Sequence, residues 1–503
     1  MATCQPTQTN ETEVAWDRKP SLPNARLYNE DLAPLEKQTW TSYSIFAFWM
    51  SDVHSVGGYM TCGSLFALGI ASWQVLVALL IGICIVMFFC NLIAKPSQVT
   101  GTPFPVVARL AFGVYGANVP AVMRGLQSVP WYGINTWMAS SSLKICLLKL
   151  FPSPVTFAND DKGFVGLSML GWVCFIIMWL LQVALFWRGI EGVRKFIDFA
   201  GPAVYIVMIF MTGYLCYQAG GISFSIASAH KEGWESVQAT GSAVAVVVSY
   251  FAGPMLNFGD FSRYAQSHKA VIKGNFWGCP VNFLGFALLT VISISATPKV
   301  FGRVIEDPVE MVGEIDSWFA AILGAVTFSI ATMGINIVAN FISPSFDFSN
   351  VDPQRISMRT GGMIAAVGSI LVTPWNLYKN PVLIHSTLDV LSSFIGPLFG
   401  VMLSEYYLVQ RQQIDVHELF SAKPTGKYWF QGGYNPIAIA VLVPSVAVPL
   451  GCVFIKEMKF LANYAWFIGT FTSFLLYSVA RMLQGARRPL YTKEHSTNDI
   501  DAV

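Results

Sequence analysis

Ser55-Val-Gly-Gly58 lies inside an apolar run that begins near residue 42, and Ala252-Gly-Pro254 lies inside another that begins near residue 240. Gly and Pro within a hydrophobic helix free backbone N–H and C=O groups. At membrane depth such groups are tolerated only where they are buried in protein or line a cavity. Interrupted helices in a membrane bundle usually mark a ligand site, so the reading of these two stretches decides the fold.

Composition puts both stretches in a bilayer. The chain of 503 residues is 54% hydrophobic and 12% charged, about half the charged share of a soluble domain. Runs of roughly 20 apolar residues give twelve predicted spans, starting near residues 42, 72, 118, 163, 194, 240, 274, 317, 360, 383, 435 and 463. The polar segment 1–41 has no short apolar run of the kind a signal peptide needs, so the first span is expected to stay in the protein.

Lys and Arg collect in the N-terminal segment (Arg18, Lys19, Arg26, Lys37), in the even-numbered loops (Arg109, Arg194, Lys195, Arg263, Arg355, Arg411) and at the C-terminal end (Arg481, Arg487, Arg488). The odd-numbered loops carry few. Both termini are therefore expected in the cytoplasm of a multi-pass plasma (bacterial inner) membrane protein. A net charge of +2 gives no reason to expect nucleic acid. The cysteines stand singly, with no Cys-x-x-Cys, and read as inert buried thiols. The acidic stretch Glu306, Asp307, Glu310, Glu314, Asp316 reads as a solvated face on the outer side.

The interruptions fall in the first and sixth spans. If the chain holds two five-span repeats of opposite orientation, these are equivalent positions. The expected architecture is an all-α polytopic protein with a ten-helix core over residues 42–410 and two further helices over 411–484. Tails of 1–41 and 485–503 flank it.

Polar groups at mid-membrane depth carry the chemistry. Asp52 and His54 flank the first break. Trp131 and Asn135 lie four apart on one helical face of the third span. An indole face with a nearby carboxamide suits a planar, hydrogen-bonding ring. Phe251 directly precedes Gly253-Pro254, with Asn257 and Asp260 following, and Asn336 and Asn340 share a face of the eighth span. Asp52, His54, Asp389 and Glu405 are the candidate proton carriers, although Asp52 could instead cap the broken helix and Glu405 could face the cytoplasm. No His-Glu-x-x-His, Gly-x-Ser-x-Gly or phosphate-cradling Gly-x-x-x-x-Gly-Lys is present, which argues against an enzyme.

Further motifs make the chain similar to the nucleobase:cation symporter-1 family, which includes transporters of cytosine, uracil, allantoin and hydantoins. They are Asn29-Glu-Asp-Leu-Ala-Pro, Phe104-Pro-Val-Val-Ala-Arg109, Trp131-Tyr-Gly-Ile-Asn-Thr-Trp137, Asp260-Phe-Ser-Arg263-Tyr264, Ala339-Asn-Phe-Ile-Ser-Pro344 and Gly396-Pro-Leu-Phe-Gly-Val-Met-Leu-Ser-Glu405. The resemblance implies the five-plus-five inverted-repeat (LeuT-like) fold, with helices 1 and 6 broken. It implies a substrate sandwiched between Trp131 and Phe251 and hydrogen-bonded by Asn135, Asn340 and Ser55. Gly57, Gly58, Gly253 and Pro254 would give the breaks their freedom.

Coupling positions implied by the resemblance are Ser51, Asp52 and His54 in the first span and Ala331, Gly334 and Ile335 in the eighth. In sodium-coupled members a Ser-Thr hydroxyl pair would align with Gly334 and Ile335, and neither side chain offers the oxygen a hard cation needs. The expectation is a proton-coupled importer of a nucleobase-like heterocycle, without cofactor, metal or obligate protein partner. A sodium-coupled hydantoin or allantoin permease is the alternative, with an intramembrane enzyme or a channel as the rival classes.

Overall fold

The computed structural model describes residues 24–151, 155–159, 163–224, 231–378 and 381–487. Residues 1–23 and 488–503, most of both expected tails, lie outside these. Among the described residues the β pairing is confined to isolated bridges, such as Trp40 with Ala265. Everything else that is regular is helical.

The first broken span is α1 (Ser42–Val53) followed by α2 (Val56–Ser64). Then come α3 (Ser72–Thr100), α4 (Asn118–Leu150), α5 (Met169–Trp187) and α6 (Gly189–Gln218). The second broken span is α7 (Gly233–Tyr250) with α8 (Ala252–Leu256). It is followed by α9 (His268–Phe301), α10 (Trp318–Val351), α11 (Met358–Leu371) and α12 (Pro381–Leu403). The chain closes with α13 (Pro436–Phe454) and α14 (Ala465–Arg487), which pack together against α12. The broken helices stand at the head of each five-helix half, as the inverted-repeat reading expects.

Among the described residues, seven helical stretches are individually long and apolar enough to cross a membrane: α3, α5, α6, α9, α10, α13 and the one containing α14. Of the other five, four depart for physical reasons. α11 is too short, α1–α2 and α7–α8 are broken, and α4 buries Arg124, Gln127, Ser128 and Asn135 along its length. Polar side chains are carried by helices that other helices shield from lipid.

The two breaks are built differently. In the first, Ser55 leaves helical geometry at φ −97°, ψ 163°, and its Oγ accepts the Gly58 N–H at 3.0 Å, capping α2. A Cβ on Gly58 would collide with the Val53 carbonyl, so only glycine fits there. In the second, the helix turns at Phe251 (φ −86°, ψ 1°), one residue before the expected Ala252-Gly-Pro254. Gly57, Gly58, Gly253 and Pro254 therefore occupy the first turn after each break rather than the break itself. The first turn of a helix needs no N–H donor for its own ladder, which is why Pro254 is accommodated.

Candidate functional site

Between the two breaks lies a cavity of about 540 Å³, within the usual range for a small-molecule pocket. α2 lines it with Thr61 and Ser64, and α7 with Val246, Ser249 and Tyr250. Gly253 and Pro254 of α8, Asp52 of α1, Ile335, Ala339 and Asn340 of α10, and Asp389 and Ser392 of α12 also face it. α4 contributes a continuous stripe of Arg124, Gln127, Trp131 and Asn135, one helical turn between successive members. Glu306 and Asn463, from the loops on the side opposite the N-terminal segment, line the mouth.

Toward the other face the space is filled with rings. Trp49 stacks on Phe258 at 5.5 Å, Phe48 lies 4.7 Å from Phe261, and Trp40 stacks on Tyr264 at 5.5 Å. The cavity is open to one side and sealed from the other.

The expected residues separate into two groups. Trp131, Asn135, Asn340, Asp52, Ile335, Gly253, Pro254 and Asp389 come together around the cavity. Phe251 does not: it is 1% exposed and packs on Trp49 (6.0 Å) and Phe283 (5.7 Å). The turn at Phe251 rotates its ring into the protein and leaves Tyr250 facing Trp131, ring centroids 6.4 Å apart at 88°. Ser55 is fully buried, with its hydroxyl engaged as the α2 cap instead of facing the cavity.

His54 is also turned away, its imidazole between Tyr205 (4.8 Å) and Phe286 (5.1 Å). Glu405 is remote from the cavity, accepting from the Tyr477 hydroxyl at 2.8 Å and paired with Arg481 at 3.3 Å. Gly57 approaches the Tyr250 hydroxyl across the first break, Gly58 follows it, and neither lines the cavity. Ser51 and Gly334 face each other, a Cβ on Gly334 reaching 3.6 Å from Ser51 Oγ, and Ala331 is buried one turn away. Thr332 Oγ1 accepts the free Val56 N–H at 3.4 Å.

The polar lining presents both hydrogen-bonding senses. Asn340 Nδ2 donates to Asn336 Oδ1 at 3.1 Å, which leaves its carbonyl oxygen as the acceptor on the cavity side. Asn336 is itself a structural node, donating to the Tyr132 carbonyl (3.0 Å), Thr136 Oγ1 (3.0 Å) and Gln182 Oε1 (2.7 Å). Gln127 Oε1 is buried with no hydrogen-bond partner among the described residues. Asp52 is 2% exposed, and its Oδ2 is likewise without one.

A flat heterocycle laid on Trp131 would meet Tyr250 edge-on, and its donors and acceptors would find the amides of Gln127, Asn135 and Asn340. Gln127, Arg124 and Tyr250 were not expected from the sequence. Gln127 and Arg124 were legible by extending the Trp131–Asn135 face one or two turns toward the N-terminal end of α4.

Below the cavity floor, Arg124 donates to the Gly253 carbonyl (3.3 Å), the Ala339 carbonyl (3.2 Å) and the Ser128 hydroxyl. It faces two buried carboxylates, Asp260 and Asp347. Asn257 Nδ2 bridges these at 3.0 and 3.2 Å, and Asp260 Oδ1 accepts the Phe104 N–H at 2.8 Å. At the mouth, partial burial lifts the Glu306 carboxyl above the ordinary glutamate pKa. The acidic stretch is thus more than a solvated face. Asp307 caps the short helix Pro308–Gly313, and Glu310 and Glu314 pair with Arg303 at 2.6 and 3.0 Å.

The profile of the family described as "Permease for cytosine/purines, uracil, thiamine, allantoin" matches residues 33–469. The chain is 31% identical to the allantoin permease of Bacillus subtilis, covering 94% of this chain and 96% of that protein. It is also 31% identical to the purine-uracil permease NCS1 of Arabidopsis thaliana, covering 87% and 73%. In fold it matches Mhp1, a nucleobase-cation-symport-1 family transporter solved closed around bromovinylhydantoin. The TM-score is 0.73 at 24% identity, over 93% of this chain and 98% of that one. A sodium-coupled sialic acid symporter matches with a TM-score of 0.58 at 12% identity, over 89% and 90%. The chain belongs to the nucleobase:cation symporter-1 family and is a multi-pass membrane transporter, not an enzyme.

Proposed function

We propose that the protein imports a nucleobase or related planar heterocycle of the uracil, cytosine and allantoin class across the plasma membrane, by proton symport with alternating access and with both termini in the cytoplasm. The observation that carries the reading is the joint lining of one cavity, at the two helix breaks, by Trp131, Tyr250 and the amides of Gln127, Asn135 and Asn340. Neutral rings with alternating donors and acceptors match such a lining. The relatives' names point to the same compounds.

Proton coupling is supported by Asp52, a carboxylate in the cavity wall with an oxygen lacking a hydrogen-bond partner among the described residues. Gly334, facing Ser51, offers no side-chain oxygen for a hard cation. The openness of the cavity toward the Glu306 side, with aromatic packing on the other, corresponds to the outward-facing stage of an alternating-access cycle.

The test is thermal stabilisation of the purified protein by uracil, cytosine, allantoin and hydantoin, across pH and with or without sodium. At least one ring should raise the melting temperature, with an affinity that depends on pH and not on sodium. Stabilisation that requires sodium at every pH would replace proton coupling by sodium coupling. Failure of every ring to stabilise would overturn the substrate class.

A further inference from the structure

Among the described residues, four charged groups line the cavity: Asp52, Arg124, Glu306 and Asp389. The single cation is spent inward. Arg124 donates to two backbone carbonyls and to Ser128, and its charge is faced by Asp260 and Asp347 behind the floor. Of the acids, Asp52 lies beside the first helix break and is the group assigned above to the proton, whereas Glu306 comes from the loop that precedes the helix Pro308–Gly313. Asp52 is 2% exposed, with Oδ2 unpartnered among the described residues.

Glu306 is held at the mouth by its neighbours: the Ile305 N–H donates to Thr297 Oγ1 at 3.1 Å, and Asp307 caps the next helix. Its stem lies against Gly63 of α2, where a Cβ would stand 3.2 Å from the Glu306 Cβ. The missing side chain at Gly63 is what lets Glu306 reach the opening. No hydrogen bond or ion pair among the described residues reaches its carboxylate. A carboxylate at the mouth of a low-dielectric cleft focuses the field there and raises the local concentration of the opposite charge.

We propose that Glu306 is the outer charge filter of this cavity: its carboxylate makes the mouth electronegative, so the protein accepts neutral or cationic heterocycles and rejects anionic ones such as ring carboxylates. The ligand selection rests on the transport reading above. The field at the mouth does not, and it is measured separately.

Ser64, on the cavity wall in α2, is replaced by Cys in the full chain. Its labelling rate is measured with a trimethylammonium and with a sulfonate methanethiosulfonate, after subtracting the rate of the protein lacking that cysteine. Relative to a free thiol, the cationic reagent should be favoured by about tenfold or more. The preference should fall by about threefold or more in Glu306→Gln, return in Glu306→Asp, and shrink in 1 M salt, where screening length is about 3 Å. A preference near one, or one unmoved by Glu306→Gln, overturns the filter.

In the second arm, uracil and uracil-6-carboxylate are compared as stabilising ligands. The neutral ring should be preferred by about tenfold or more, with the gap narrowing in Glu306→Gln. Equal stabilisation by both would overturn the selection. Should no neutral ring stabilise while the labelling preference holds, the substrate reading fails and the electronegative mouth stands.

Discussion

One residue separates the aromatic wall of the cavity from the aromatic core. Tyr250 and Phe251 are adjacent and similar in size, yet the turn at Phe251 sends one ring toward Trp131 and the other toward Trp49 and Phe283. Tyr250→Ala should weaken ligand affinity about tenfold, since an aromatic pair contributes roughly 0.5–1.5 kcal/mol beyond its buried area. Phe251→Leu should lower the melting temperature while changing affinity less. Ligand titration and thermal melts on both variants check this, and a larger affinity loss for Phe251→Leu would return the clamp to that residue. Asp52→Asn removes a titratable group from the cavity wall without changing its shape. Substrate counterflow should survive in reconstituted vesicles, and substrate-driven proton uptake should disappear. Undiminished proton uptake would exclude Asp52 as the coupling group.

At the level of the helix, α10 shows how two asparagines four residues apart acquire different tasks. Asn336 ties α10 to α4 and α5 through three donated hydrogen bonds. Asn340 lies in a π-type turn, Val338–Ile342, whose extra residue per turn brings its amide to the cavity while its nitrogen still reaches Asn336. Such turns recur at functional sites because they re-aim a side chain without ending the helix. Asn336→Ala leaves buried acceptors unpaired, at about 1–3 kcal/mol. The expected result is a lower melting temperature together with weakened ligand binding, because Asn340 loses its anchor. An unchanged melt would remove the structural role assigned to Asn336. Ser55 makes the same point in α2, where a cavity-facing contact was expected and a cap was found. The free N–H groups after a break claim the nearest oxygen first.

Across the whole molecule, three of the motifs that marked the family resemblance, those at Asn29, Phe104–Arg109 and Asp260–Tyr264, sit in the joints of the closed face. Arg263 donates to the carbonyls of Gly101 (3.0 Å), Asp31 (3.0 Å) and Ala33 (2.6 Å), and lies over the rings of Tyr264 and Phe346. Arg109 donates to the Leu419 carbonyl (3.0 Å) and Asn350 Oδ1 (2.7 Å). The N-terminal segment is laced into the same layer: Asn29 reaches Ser349 at 2.8 Å, and Trp40 pairs with the chain at Tyr264 and Gln266. Arg263→Ala should loosen this face. Single cysteines placed beneath it should then label faster from the terminal side and slower from the Glu306 side. Equal labelling in variant and parent would mean that other joints hold the face closed.

The sequence alone determined that the chain lives in a bilayer, that the first and sixth spans are interrupted and that Trp131 and Asn135 share one helical face; that Asn340 joins them was implied by the family resemblance. Hydrophobic run length, Gly and Pro inside those runs, and the four-residue repeat of a helical face are local properties, as is the charge asymmetry of the loops. Which ring faces Trp131, which polar groups are consumed as caps and nodes, and that Glu306 reaches the cavity mouth past Gly63 were decided only by the tertiary structure. Each depends on the rotation of one element against another, where a change of one residue in a turn redirects a side chain from cavity to core, and no spacing along the chain encodes that angle.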